Sequence, residues 1–106
     1  MKLFNIFKKP DFNQSIKDYE KDPSAVLLDV RSVREYQGGH VPGSHNIPLK
    51  SIENVASVAA NKDAKLYVYC QSGARSKQAV AALKSMGYSN VKNIGGMAAY
   101  NGEIEK

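Results

Sequence analysis

The chain has 106 residues, 42% of them hydrophobic and 24% charged, which suits one globular domain with its own core and excludes two. Its net charge is +5, but Lys2, Lys8 and Lys9 supply three of those charges within nine residues that hold no acid. No basic stripe interleaved with aromatics follows, which argues against a nucleic-acid reader, and the mild remaining excess can at most draw small anions toward a cleft.

The sequence divides into a basic, partly apolar segment, residues 1–9, and a single domain over 10–106. Leu3, Phe4, Ile6 and Phe7 are too short a run, broken by Asn5, for a secretory core, and are expected to pack on the domain. No integral membrane segment is present in the sequence, because no stretch has the length to span a bilayer. The only cysteine, Cys70, cannot close an internal disulfide, so a cytoplasmic location is expected.

Phe12, Ile16 and Tyr19 suggest a first helix. Ala25 to Val30 is a short apolar run of the kind found in buried parallel strands. Ser32 and Glu35 form the S-x-x-E pattern of a capping box, so a short helix is expected there, stopped by Gly38-Gly39. A turn over 41–44 and a brief extended piece at His45-Asn46-Ile47 lead to Pro48. Ser51 is predicted to cap a helix carrying Ile52, Val55, Ala56 and Ala59 at helical spacing. Leu66-Tyr67-Val68-Tyr69 is the strongest strand, and it runs into Cys70-Gln71-Ser72-Gly73-Ala74-Arg75-Ser76. A helix with Ala79, Val80, Leu83 and Met86 on one face follows, closed by Gly87 at C′. Val91 to Ile94 is a last strand, after which Gly95-Gly96 is expected to turn the chain. Alternation of this kind predicts an α/β fold, with a mainly parallel sheet and helices on both faces.

In such sheets ligands bind beyond the carboxyl ends of the strands, where Cys70 falls. A following helix presents unpaired, partly positive N–H groups. Gly73 permits the chain to wrap those amides around one point, and Arg75 adds a permanent cation. Together they should favour the thiolate of Cys70. A lone cysteine is often only a small buried hydrophobe, but a Gly and an Arg within five residues, at a strand-to-helix junction, favour a site.

Asp29 at a strand end is expected to accept backbone hydrogen bonds rather than act as an acid, and Glu35 to serve its cap. His40 and His45 lack a carboxylate or thiol at ligand spacing, so no metal site is expected, and His40 should pin its turn. Ser72 lies outside any G-x-S-x-G elbow and should bond within its loop. Lys77 either strengthens the field at the loop or is simply solvated.

Three stretches carry a resemblance to the single-domain rhodaneses: Leu28-Asp29-Val30-Arg31 with Glu35-Tyr36, Gly39 to Pro48, and Tyr69 to Ser76. Gly95-Gly96-Met97 is similar to the family's closing signature, with Tyr100 where Trp is common. The resemblance runs from about Phe12 to Tyr100. It implies a three-layer fold around a sheet of about five strands, and sulfur transfer through a persulfide on Cys70. Thiosulfate, a small anionic sulfur donor, would load the cysteine, and cyanide or a protein or low-molecular-weight thiol would unload it. Gln71, Ser72, Gly73, Ala74 and Arg75 would bind the donor, and no metal or organic cofactor would be needed.

Rival readings are a phosphatase or arsenate reductase, a binding module without turnover, and a relay fed by another protein's persulfide. The phosphatase loop is C-x5-R, whereas Cys70 to Arg75 is C-x4-R. A redox arsenate reductase would be expected to use a second cysteine, which this chain lacks.

Overall fold

The computed structural model describes residues 11–106. The basic segment, and the expected packing of its apolar residues, lie outside them. Helix α1 (Phe12–Glu20) begins where the Asp11 carboxylate accepts the Gln14 amide, and it buries Phe12, Ser15 and Ile16 along one stripe. Strand β1 (Val26–Asp29) follows, then the short helix α2 (Val33–Gln37). The capping box is formed as expected: the Glu35 amide donates to Ser32 Oγ, and the Ser32 amide donates to Glu35 Oε1. Strand β2 is only His45–Asn46.

The helix expected after Ser51 differs. Residues Leu49–Ser57 form 3₁₀ turns that start at Pro48 and kink at Ser51. Ile52, Val55 and Ala59 still face inward, but Ala56 is exposed. Pro48 fixes the entry one turn early, and the tighter 3₁₀ pitch carries Ala56 off the buried stripe.

Strand β3 (Leu66–Cys70) is buried at every residue, and helix α3 (Ala74–Ser85) follows it. The connecting loop is therefore shorter than the sequence suggested, because Ala74, Arg75 and Ser76 already belong to the first helical turn. At the far end Gly87, with φ +100°, and the Tyr88 amide bonded to Leu83 O close the helix as a Schellman motif. Strand β4 (Val91–Gly96) takes in the Gly95-Gly96 pair, which was expected to turn the chain. The pairing register slips between Val68 and Tyr69, so Gly95 and Gly96 lie beside Tyr69 and Cys70. A Cβ on Gly96 would come within 2.3 Å of Gln71 O, so only glycine lets the strand pass the loop this closely.

The sheet has the order β2-β1-β3-β4, with every pair parallel. Among the described residues it has four strands rather than about five. Side chains alternate across it. Leu27, Tyr67 and Tyr69 join Phe12 and Ile16 on one face. Leu28, Leu66, Val68 and Cys70 meet Ile52, Val55, Ala79 and Leu83 on the other. Helix α1 thus covers one face, and the 3₁₀ segment with α3 covers the other, giving the expected three layers. Among the described residues no helix is long and apolar enough to cross a membrane.

Candidate active site

The carboxyl ends of β1, β3 and β4 converge on Cys70. Its side chain is fully buried, yet polar groups surround the sulfur. The amides of Gly73 and Ser76 donate to Sγ at 3.0 and 3.3 Å, and Ser76 Oγ lies 3.4 Å away. Gly73 stands at the N-cap of α3 with φ +103° and supplies no side-chain cap. The cysteine sulfur fills that role, accepting the third-residue amide of the helix as a Ser or Asp cap oxygen would.

Burial pushes the Cys70 thiol up. Hydrogen bonds from the Ser76 hydroxyl and from the amides of Ser76, Gly73 and Ser72 outweigh that effect and leave it below the usual thiol range. Arg75 and Cys70 also attract each other across the turn, an effect smaller than these hydrogen bonds. The Arg75 guanidinium is turned to Glu35 in a two-point ion pair, Nη1 to Oε1 at 2.7 Å and Nη2 to Oε2 at 2.9 Å. The pair holds the Glu35 carboxyl down at about 2.

Gln71 and Ser72 are exposed, and Gln71 Oε1 sits 3.5 Å from Arg31 Nη1. The Ser72 amide helps lower the thiol. Ala74 is exposed as the first residue of α3. Two hollows flank this turn. One, of about 690 Å³, is lined by Gln71, Ser72, Gly73 and Lys77, with Phe12 and the β4 glycines opposite. The other, of about 390 Å³, is lined by Val30, Ser32, Pro48, Leu49, Lys50 and Arg75.

Beneath the loop lies a buried ion pair that the sequence did not reveal. Arg31 Nε and Nη2 bond the Asp29 carboxylate at 2.7 to 3.1 Å, and Nη2 also reaches Gly39 O at 2.7 Å. Asp29 also accepts the Arg31 amide at 2.9 Å, the backbone bond expected of it. His40 stacks on Tyr36 with ring centroids 3.7 Å apart, and its Nδ1 lies 2.8 Å from Tyr36 O, so it pins the turn after α2. His45 is exposed on β2. Among the described residues no three His, Cys, Asp or Glu side chains are grouped to hold a metal.

Ser76 belongs to the loop motif, but its place at the sulfur is not among the sequence expectations. The available signal was helix phasing: once Gly73 is taken as N-cap, Ser76 is the third helical residue, whose amide is unpaired. Asn93 had no such signal. Its Oδ1 lies 2.8 Å from Ser76 Oγ and accepts the Gly95 amide at 2.9 Å, a juxtaposition made by the β3–β4 pairing.

Residues 12–103 match the family described as "Rhodanese-like domain". The chain belongs to the rhodanese family. It is 44% identical over 71 residues to "Thiosulfate sulfurtransferase PspE" of Escherichia coli K12, covering 66% of this chain and 68% of that protein. It is 37% identical over 87 residues to "Putative sulfur carrier protein YrkF" of Bacillus subtilis 168, covering 81% of this chain but only 46% of that one. Among solved structures, "rhodanese with anions from E. coli" superimposes with a TM-score of 0.72 at 38% identity, over 77% of this chain and 98% of that one. The rhodanese-like α/β fold expected from the motifs is the fold observed.

Proposed function

We propose that this rhodanese-family domain is a sulfurtransferase that carries sulfane sulfur as a persulfide on Cys70. The observation that carries the reading is the convergence of the Gly73 and Ser76 amides and the Ser76 hydroxyl on one buried sulfur. A cysteine that only packs needs no such set of donors, whereas a thiolate does. The relatives described as a thiosulfate sulfurtransferase and a sulfur carrier support the same chemistry.

The Cys70 thiolate attacks the outer sulfur of the donor. The donor's S–S bond breaks, and its electron pair leaves with sulfite when the donor is thiosulfate, or with a thiolate when it is a persulfide. Cys70 then holds the sulfur as an anionic persulfide, whose charge the amides from Gln71 to Arg75 stabilise. A thiol or cyanide acceptor takes the outer sulfur and restores the Cys70 thiolate. The residues assign no step to a metal or an organic cofactor. The phosphatase reading loses support because the tight C-x4-R loop has its arginine engaged by Glu35.

Intact mass spectrometry after incubation with thiosulfate, and separately with a small persulfide, tests the proposal. One added sulfur, removable by cyanide as thiocyanate and absent from Cys70→Ser, is expected. A chain that takes up no sulfur from either donor, or a Cys70→Ser variant that still does, overturns it.

A further inference from the structure

The Arg75–Glu35 ion pair has a consequence for which donor the site accepts, and it builds on the sulfur-transfer reading. A sulfonate is held most strongly by a cation whose charge is not already offset and that offers two parallel N–H groups. Arg75 already commits its Nη1–Nη2 edge to Glu35, whose carboxylate offsets its charge. Arg31 commits its Nη2 to Asp29 and Gly39 O. Two of the four cations around the loop are therefore neutralised at close range. Lys50 and Lys77 line the two hollows and have no carboxylate partner among the described residues. They are mobile point charges that attract any anion and offer no two-point geometry.

Charge counting separates the donors. A Cys70 thiolate attacking thiosulfate brings together three negative charges, which leave as one on the persulfide and two on sulfite. Attack on a monoanionic alkyl persulfide brings together two, which leave as one on the new persulfide and one on the departing thiolate. In both cases the donor S–S bond breaks as the new one forms, with no net oxidation. The extra charge makes thiosulfate the donor that suffers more from a masked Arg75.

We propose that Glu35 is a specificity-determining residue: by occupying Arg75 it steers the site away from dianionic thiosulfate and toward monoanionic persulfide donors. Glu35 acts through Arg75 and through its own charge beside it, not by touching the reacting sulfur.

Glu35→Gln tests this, since glutamine keeps an acceptor for the Ser32 amide while freeing the charge of Arg75. With cyanide as acceptor, the KM for thiosulfate is expected to fall about fivefold at low ionic strength and by less in high salt, with kcat nearly unchanged. The rate of sulfur loading from 2-hydroxyethyl hydropersulfide, a singly charged donor, should change less than twofold. Arg75→Ala should move the thiosulfate KM the opposite way, about tenfold upward, because it leaves the Glu35 carboxylate bare. Ser32→Ala, which removes the cap but not the ion pair, should leave the KM near that of the wild type. An unchanged or raised thiosulfate KM in Glu35→Gln, equal shifts for both donors, or the same KM shift in Ser32→Ala overturns the proposal. Failure of the wild type to load sulfur from either donor is a different result: it removes the sulfur-transfer reading itself, and this proposal with it.

Discussion

Ser76 meets Cys70 twice, with its amide nitrogen 3.3 Å and its hydroxyl oxygen 3.4 Å from the same sulfur. That hydroxyl is also 2.8 Å from Asn93 Oδ1, and it owns a single proton. While Cys70 is a thiol, S–H donates to Ser76 Oγ and the hydroxyl donates to Asn93. Once the thiolate forms, the hydroxyl proton must turn to the sulfur. Asn93 still keeps the Gly95 amide, so the turn orphans no buried group.

Ser76→Ala should therefore raise the pH at which Cys70 ionises, since a hydrogen bond to a charged group is lost from a buried position. Sulfur loading near neutral pH should slow by about tenfold. Alkylation rate against pH is the direct measurement. The wild-type midpoint should lie below that of an ordinary thiol, and the variant's should move upward. Identical profiles would remove the hydroxyl from thiolate stabilisation.

Gly96→Ala tests the closeness of β4 to the cysteine loop. The backbone there, φ −119° and ψ 140°, suits alanine, but the new Cβ would lie 2.3 Å from Gln71 O and 2.6 Å from Ser72 Cα. A cost of about 1–3 kcal/mol in urea unfolding is expected, with loss of sulfur loading because the loop must shift. At Gly95 nothing lies within 4 Å of an added Cβ, and φ is +98°. Gly95→Ala should thus cost about 1–3 kcal/mol through backbone strain, without driving the Gln71–Ser72 backbone aside.

The acid response of Glu35 follows from its ion pair. Its carboxyl is lowered from 4.5 to about 2 by the hydrogen bond from Arg75, against the opposing effect of burial, and with further bonds from Ser32. A lowered folded value means the stabilisation is fully present above about pH 4.5 and is lost as pH falls toward about 2. Side-chain exposures of 38% for Arg75 and 35% for Glu35 keep it small, about 0.5–1 kcal/mol. NMR titration of the Glu35 carboxyl should show a midpoint near 2. A midpoint at the ordinary value would mean that the pair does not persist in solution.

Leu83→Ala should destabilise the fold by about 2–5 kcal/mol, read from the urea midpoint, because Leu83 is fully buried in the cluster that holds Val68 and Cys70. Below the unfolding transition, the variant should still load sulfur on Cys70. Loss of loading in a folded Leu83→Ala protein would show that this core positions the loop more delicately than its hydrogen bonds imply.

Local rules carried most of the element reading. Ser32 and Glu35 close their capping box, Gly87 ends α3, and Leu66 to Tyr69 form the central strand, because each depends on residues a few positions apart. Tertiary packing overrode local pattern in two segments. Gly95-Gly96 looks like a turn by composition, yet it continues β4 because bare backbone is required against Gln71 and Ser72. The segment after Pro48 has helical spacing but settles into kinked 3₁₀ turns, and Ala56 is left outside.

By itself the sequence determined the order of strands and helices, the family, and the placing of Cys70 at a strand end before a helix. These follow from spacing, propensity and short motifs. Only the tertiary structure decided what occupies Arg75 and which side chain backs Ser76. Glu35 and Arg75 are 40 residues apart, as are Arg31 and Gln71, while Asn93 reaches Ser76 only because β4 lies beside β3. Parallel pairing joins residues distant in the chain, so the charge balance and the proton geometry of the site are written in contacts that no local pattern contains.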